Sequence, residues 1–370
     1  MSRVLLKRRS SVHVAAVLPA YNVAEELGGV LRSMPQLFTT IVVVNDASRD
    51  ETGAIAERYA ELDRRIVVVH HEQNHGVGGA MVTGFRTAIE SGADIAVKID
   101  ADGQMPLWLV PELIAPLISG EADYTKGNRF RDFQAVRAMP LLRRIGNVGL
   151  SFLAKAATGY WRLFDPTNGF LAIRSDVLSQ LPLKKIDRTY FFEISMLSHL
   201  YLIGAVVKEI PMPARYAGET SSLSIPRVLR QFPGRLLWSL LRRLVLKNYV
   251  YDFNLASLHL VLGVPLLLAG IAYGGWNWFQ YSVLLRQAAP TGTVVLPALM
   301  IMVAVQLLLS AARYDLEAVP REPVNKGPIA TEETPVPEPR SGRTDSEIDV
   351  RTAAGPREVA RTRGADRRGE

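Results

Sequence analysis

The sequence predicts an α/β domain on a parallel sheet, followed by a basic amphipathic segment and two apolar helices of membrane-crossing length. Three observations carry that prediction. From residue 12 to about 130, Val- and Ile-rich runs alternate with stretches of helical periodicity, the pattern of strands covered on both faces by crossover helices. Residues 226–250 interleave Leu, Val and Trp with Arg227, Arg230, Arg235, Arg242, Arg243 and Lys247. Residues 255–273 and 294–312 are two runs of 19 residues without Lys, Arg, Asp or Glu.

The first strands read "VHVAAVL" (12–18), "TTIVVVN" (39–45), "RIVVVH" (65–70), "DIAVKI" (94–99) and "DYTKGN" (123–128). The apolar run at the N-terminus is short, β-branched and cut by Pro19, so it reads as strand rather than signal peptide. Residues 140–225 are mixed, with helices expected near 141–157 and 190–203 and a strand at 205–210. In open α/β sheets ligands bind at the carboxyl ends of the strands. Pro19 to Asn22, Asp46 and Asp100 to Asp102 all fall at such ends.

The segment 226–250 suits a membrane surface; a helix packed on the globular domain is the alternative. The two 19-residue runs are long enough to cross a hydrocarbon core about 30 Å thick. Six basic residues precede the first run, while the connection 274–293 holds only Arg286. The positive-inside rule therefore puts both chain ends in the cytoplasm. Residues 317–370, rich in Pro, Glu, Arg and Thr, read as a disordered tail.

Composition narrows the chemistry. With no cysteine in 370 residues, disulfides, thiolate catalysis and cysteine metal sites are excluded. The formal charge of +7 has its explanation in anionic lipid headgroups near the membrane, and no nucleic-acid partner is needed. Homo-oligomerisation is left open.

"VKIDADGQMP" (97–106) ends a buried run in two aspartates one residue apart. Strand residues at i and i+2 point the same way, so the carboxylates of Asp100 and Asp102 would repel unless a cation joined them. The pair alone also reads as a solvated turn at Asp102-Gly103. "NHGVGGAMVTGF" (74–85) fails the GxGxxG spacing of dinucleotide sites, because Met81 stands where the last glycine belongs.

In order, "LPAYN" (18–22), "VVVNDASRDET" (42–52), the glycine stretch, "DADGQMP" (100–106), "KGNRF" (126–130), "RRIGNVG" (143–149), "DPTNGF" (165–170), "YFFEI" (190–194) and "ARYAGETSSL" (214–223) resemble the family 2 glycosyltransferases. Among these they are similar to polyprenyl-phosphate sugar synthases of the dolichyl-phosphate mannose synthase type. The resemblance covers about residues 12–225. It implies a GT-A catalytic domain over 1–225 with a Rossmann-like, mixed, mainly parallel sheet; the residue pattern beyond it gives an interfacial segment 226–250, a two-helix transmembrane hairpin 251–316 and the tail.

The resemblance further implies residue roles. Pro19, Tyr21, Asp46, Asp100, Ala101 and Arg215 would bind the nucleotide-sugar donor, UDP- or GDP-linked. Asp100, Asp102 and Gln104 would hold Mg²⁺ or Mn²⁺, which prefer oxygen ligands. Arg129, Arg143 and Asn147 would bind the acceptor phosphate. Asp102, Asp165, Glu193 and Arg129 would make up the catalytic group, with Asp165 or Glu193 orienting the acceptor or serving as base. Val23, Asn45 and the serines 221–222 depart from the family pattern, which often has Glu, Asp and Lys there.

The implied activity is inverting sugar transfer to undecaprenyl or dolichyl phosphate at the cytoplasmic membrane face. One alternative is non-processive transfer to a sugar hydroxyl of a lipid-linked or polysaccharide acceptor. Another is a catalytically silent membrane scaffold. "QFPGRLLW" (231–238) lacks the QxxRW spacing of processive synthases.

Overall fold

The computed structural model describes residues 11–129, 141–213 and 225–329. The chain divides into a unit of residues 1–331 and one of 332–370, and the latter lies wholly outside the described residues. Arg215 and its loop lie outside them too, as do the side chains of Arg143 and Asn147.

Among the described residues seven strands form one sheet: β1 (Val14–Ala20), β2 (Phe38–Asn45), β3 (Ile66–His70), β4 (Ile95–Lys98), β5 (Tyr124–Asn128), β6 (Leu171–Arg174) and β7 (Val207–Pro211). Their spatial order is β3-β2-β1-β4-β6-β5-β7. All neighbours run parallel except β6, which is antiparallel to both β4 and β5. The expected α/β class with a mixed, mainly parallel sheet is present. β6 is the strand the sequence reading does not pick out: its four residues are all buried, so no alternation marks it.

Alternation along the other strands builds two cores. Ala16, Leu18, Ile41, Val43, Ile95 and Val97 face a layer made with α1 (Ala24–Arg32) and α4 (Val110–Ile118). Ala15, Val17, Ala96 and Leu171 face α3 (Gly76–Glu90) and the later helix Phe192–Leu202. The result is helices on both faces of a sheet, as the period-2 geometry of strands requires. α2 (Thr52–Leu62) follows β2. Because β6 is reversed, the carboxyl ends of the parallel strands and the loop entering β6 share one edge of the sheet.

α5 (Leu141–Thr158), α6 (Phe192–Leu202) and α7 (Ile225–Val245) follow. Leu236 of α7 packs with Ala154, Ala157, Phe191 and Ile194, while Leu237, Trp238, Leu241 and Val245 are exposed. The basic segment thus packs on the domain and also presents an apolar face. α8 (Leu255–Trp278) starts at Asn254, whose side chain accepts from Ala256 N and Ser257 N while Ser257 returns a bond to the Asn254 backbone, a capping box.

α9 (Thr291–Glu317) runs antiparallel to α8. Gly263 faces Leu307 and Leu308, Gly270 faces Met300 and Ile301, and Gly274 faces Pro297. Glycines in this seam let the backbones approach. Leu255–Leu284 and Thr291–Glu317 are long and apolar enough to cross a membrane, with mean hydropathies of 2.1 and 2.4.

The expectation of a disordered tail from residue 317 does not describe residues 318–329. Val319 and Val324 pack against the second core. Val324 N donates to Asp123 Oδ2 (3.0 Å), Gly327 O accepts from Arg174 (3.1 Å) and Ile329 N donates to Ile118 O (2.9 Å). This strap lies along the sheet edge opposite the parallel strands' carboxyl ends.

Candidate active site

The β1 and β2 ends are zipped together. Asp46 N donates to Ala20 O at 2.9 Å. Pro19 lies past the last β1–β4 pair, Val17 with Lys98, so its missing N–H leaves that ladder intact. Asn22 sits at φ 52°, a left-handed conformation that Asn tolerates. It accepts from Arg49 N and donates to Ser48 Oγ. Tyr21 is left exposed beside this junction. Asp50 binds Thr52 and the Ala24 backbone; its slight burial is outweighed by these bonds, which hold its carboxyl below the usual range.

Asp46 is 2 % exposed. Its Oδ1 accepts from His75 N at 2.8 Å and meets His71 Nδ1 at 2.6 Å. His71 Nε2 is in turn 2.9 Å from Thr83 Oγ1. Asp46, His71 and His75 have ligand atoms within 4.8 Å of one another. Both nitrogens of His71 are already engaged, so the trio acts as a hydrogen-bonded support for Asp46. Asn45 donates to His70 Nδ1 (3.0 Å) and accepts from Ser48 N (3.1 Å). An aspartate in its place could not donate to a ring nitrogen.

The glycine stretch serves the protein's own packing. Gly78 N and Gly79 N donate to Arg188 O, and a Cβ on Gly78 would collide with the Asp187 carbonyl. The start of α3 is thereby sealed by the 187–189 backbone.

After β4 the chain turns through Asp100 and Asp102. Ala101 between them is buried, while Asp102 and Gln104 are exposed. Gln104 N donates to Asp102 Oδ1 at 3.0 Å, and Gly103 closes the turn at φ 72°, open to glycine at no steric cost. The two carboxylates, with the Gln104 amide in the same turn, are a hard-oxygen donor set that fits Mg²⁺ or Mn²⁺.

One partner of this turn was missed in the sequence. Lys98 is 2 % exposed and places Nζ 2.8 Å from Asp100 Oδ1 and 3.4 Å from Glu193 Oε1. Burial pushes its pKa down, but the two carboxylates outweigh that and hold it above the ordinary lysine range. A Cβ on Gly169 would collide with Lys98 Nζ and lie 3.2 Å from Asp100 Oδ2 and 3.6 Å from Glu193 Oε1. Asp100, Glu193 and the entry to β6 therefore meet around one ammonium. The signal was available: a lysine inside an apolar strand is buried only with partners.

Asp165 takes a different place. It is 0 % exposed and accepts two side-chain bonds from Arg129, Nε to Oδ2 at 2.8 Å and Nη2 to Oδ1 at 3.1 Å. Its own N–H donates to Glu209 Oε1, which also takes Phe164 N, while Glu209 Oε2 accepts from Asn128. Burial raises the Glu209 pKa. Lys126 lies beneath this loop, donating to Pro166 O at 2.7 Å; burial pulls its pKa down to about 8 against the upward pull of Asp165 and Glu193. Asp165 orders Arg129, and Glu193 is the carboxylate beside the Asp100 turn.

The edge thus gathers Pro19, Tyr21, Asp46, Asp100, Ala101, Asp102, Gln104, Arg129, Asp165 and Glu193. Residues 15–181 match the family model described as glycosyl transferase family 2. A UDP-N-acetylglucosamine--dolichyl-phosphate N-acetylglucosaminyltransferase of Methanococcus voltae is 33 % identical over 178 residues, covering 45 % of this chain and 70 % of that protein. A polyprenol monophosphomannose synthase of Mycolicibacterium smegmatis is 31 % identical, covering 55 % of this chain and 78 % of the relative. An undecaprenyl-phosphate mannosyltransferase of Micrococcus luteus is 30 % identical, covering 54 % and 83 %. Since the match runs from β1 past the Asp165 loop and these relatives align along more than two thirds of their own length, the chain belongs to glycosyl transferase family 2 and is a glycosyltransferase.

Proposed function

We propose that this glycosyltransferase moves a sugar, with inversion, from a UDP- or GDP-linked donor to a polyprenyl phosphate at the cytoplasmic face of a membrane. The observation that carries the reading is the convergence of the Asp100–Asp102 turn, Glu193 and the Arg129–Asp165 pair on one sheet edge. The relatives' names, which pair different sugars with dolichyl, undecaprenyl or polyprenol phosphates, support the acceptor class and leave the sugar open.

In this reading Tyr21 and the Asp46 carboxylate bind the nucleoside, with Pro19 and Ala101 as the backbone walls of the donor site. Asp100, Asp102 and Gln104 hold Mg²⁺ or Mn²⁺, which when bound stabilises charge on the departing nucleoside diphosphate. Arg129, ordered by Asp165, offers charge-assisted hydrogen bonds to the acceptor phosphate, with Arg143 and Asn147 of α5 on the same task and Arg215 on the diphosphate. An acceptor phosphate oxygen attacks the anomeric carbon as its bond to the diphosphate breaks. A phosphomonoester is already largely dianionic at neutral pH, so no residue must remove a proton. That agrees with Asp165 being wholly engaged. Glu193 orients the acceptor.

For the membrane, α8 and α9 form a hairpin whose two ends lie on the catalytic side, and the exposed Leu237, Trp238 and Leu241 of α7 rest in the interface. The supporting observation is the pairing of Arg243 in α7 with Asp315 near the end of α9.

The deciding experiment incubates membranes containing the protein with a panel of radiolabelled nucleotide sugars and Mn²⁺. Label should enter the lipid phase and be released by mild acid. Label appearing in polysaccharide with none in lipid would replace this reading by transfer to a sugar hydroxyl. No transfer from any donor would favour a silent scaffold.

A further inference from the structure

Lys98 is an ammonium inside the central sheet, and its two partners serve different sides of the proposed reaction. Asp100 belongs to the metal and donor side, Glu193 to the acceptor side. Its place is built, since any side chain at position 169 would collide with Nζ. The ammonium engages Oδ1 of Asp100, while Oδ2 is turned toward Gly169.

We propose that Lys98 is a positioning residue that divides Asp100 between two cations. Oδ1 is held by the ammonium, so Asp100 meets a divalent ion through Oδ2 alone, and the neighbouring positive charge limits how tightly that ion is held. The inference rests on the metal assignment above. Like charges sharing one carboxylate repel, and more strongly where water is scarce. Lys98 therefore weakens metal binding, which favours release of the ion with the nucleoside diphosphate. The same ammonium removes the repulsion between Asp100 and Glu193 and fixes the acceptor-side carboxylate relative to the metal ligand.

The test titrates Mn²⁺ alone into the full-length, detergent-solubilised chain and follows free ion by electron paramagnetic resonance. The wild-type protein should bind Mn²⁺, and Asp102→Asn should lose it. Folded Lys98→Met should bind Mn²⁺ about tenfold more tightly, because a repelling charge is gone. Its turnover should fall about a hundredfold, as misplaced reacting groups do. A lysine that only supported the fold would leave metal affinity unchanged or weaken it, so either result overturns the proposal. Should Lys98→Met not fold, Gly169→Ala carries the test. Its added methyl pushes the ammonium off Asp100 without altering any charge; tighter Mn²⁺ binding is again expected, and wild-type affinity overturns the proposal. Absence of Mn²⁺ binding in the wild-type chain would remove the metal assignment together with this role. Binding that is lost in Asp102→Asn yet unaltered in Lys98→Met would remove the role of Lys98 alone.

Discussion

Arg243 and Asp315, 72 residues apart, form a two-bond ion pair, Nη1 to Oδ1 at 2.7 Å and Nη2 to Oδ2 at 2.9 Å. Trp161 Nε1 donates to the same carboxylate at 2.8 Å, and Arg243 also reaches Ala156 O at 2.8 Å. Lys247 lies 3.4 Å from Asp315 and bonds Tyr201; burial pushes the Lys247 ammonium's pKa down. The catalytic domain, α7 and the end of α9 thus converge on one side chain.

Asp315→Ala should strand a buried guanidinium and cost on the order of 3–5 kcal/mol, whereas the double change Arg243→Met with Asp315→Leu should be much milder. Thermal unfolding of the detergent-solubilised chain checks this. Equal melting points for the single and double variants would mean that the pair is solvated.

Asp102→Asn should abolish transfer and leave the unfolding midpoint unchanged, because Asp102 is exposed and the replacement is nearly isosteric. Activity of that variant persisting in the presence of a chelator would defeat the metal assignment.

Arg129→Ala removes both bonds to a carboxylate that is 0 % exposed. It should lower the unfolding midpoint, raise the apparent KM for polyprenyl phosphate and slow turnover, the lost charge-assisted bond being worth about 1.5–3 kcal/mol. Nucleotide affinity, measured by calorimetry, should stay unchanged. Weakened nucleotide binding with unaltered acceptor saturation would move Arg129 to the donor site.

Lys126 has a folded pKa near 8, below its ordinary value of 10.5. Between those pH values the unfolded chain binds more protons, so this residue's contribution to stability rises with pH. The cost of burying the charge is present below pH 8 and relieved toward pH 10.5. Lys126→Met should therefore gain on the wild type at neutral pH, by up to about 3 kcal/mol, and lose that gain as the pH rises through the window. A stability difference that is flat from pH 7 to 10 would contradict the shift.

A topology reporter inserted near Ala289 should read as external, and one fused after Glu370 as cytoplasmic. An external C-terminus would mean that α8 or α9 is not a crossing.

The strand-end carboxylates were legible because apolar runs announce where a buried strand stops, and Asp46, Asp100 and Asp102 stand just past such stops. What these side chains face was not legible. Glu193 lies 95 residues from Lys98, and nothing local in the sequence pairs them. The His71 and His75 support of Asp46 depends on where α3 begins relative to β3. Composition judged residues 318–329 by their polar side chains and prolines, whereas they dock largely through backbone bonds, which composition does not report.

The strap changes how the domain can move. A globular body joined to a membrane by one helix swivels about that stem in all directions. Here the chain enters the hairpin through α7 and returns through residues 318–329, leaving two separate attachments, as in a door hung on two hinges. With α8 and α9 in a bilayer as proposed, the sheet edge bearing Asp102 would keep a near-constant height above the headgroups. Encounter with the proposed lipid acceptor would then be a two-dimensional search made by the lipid, paced by lateral diffusion and hardly at all by tumbling of the enzyme.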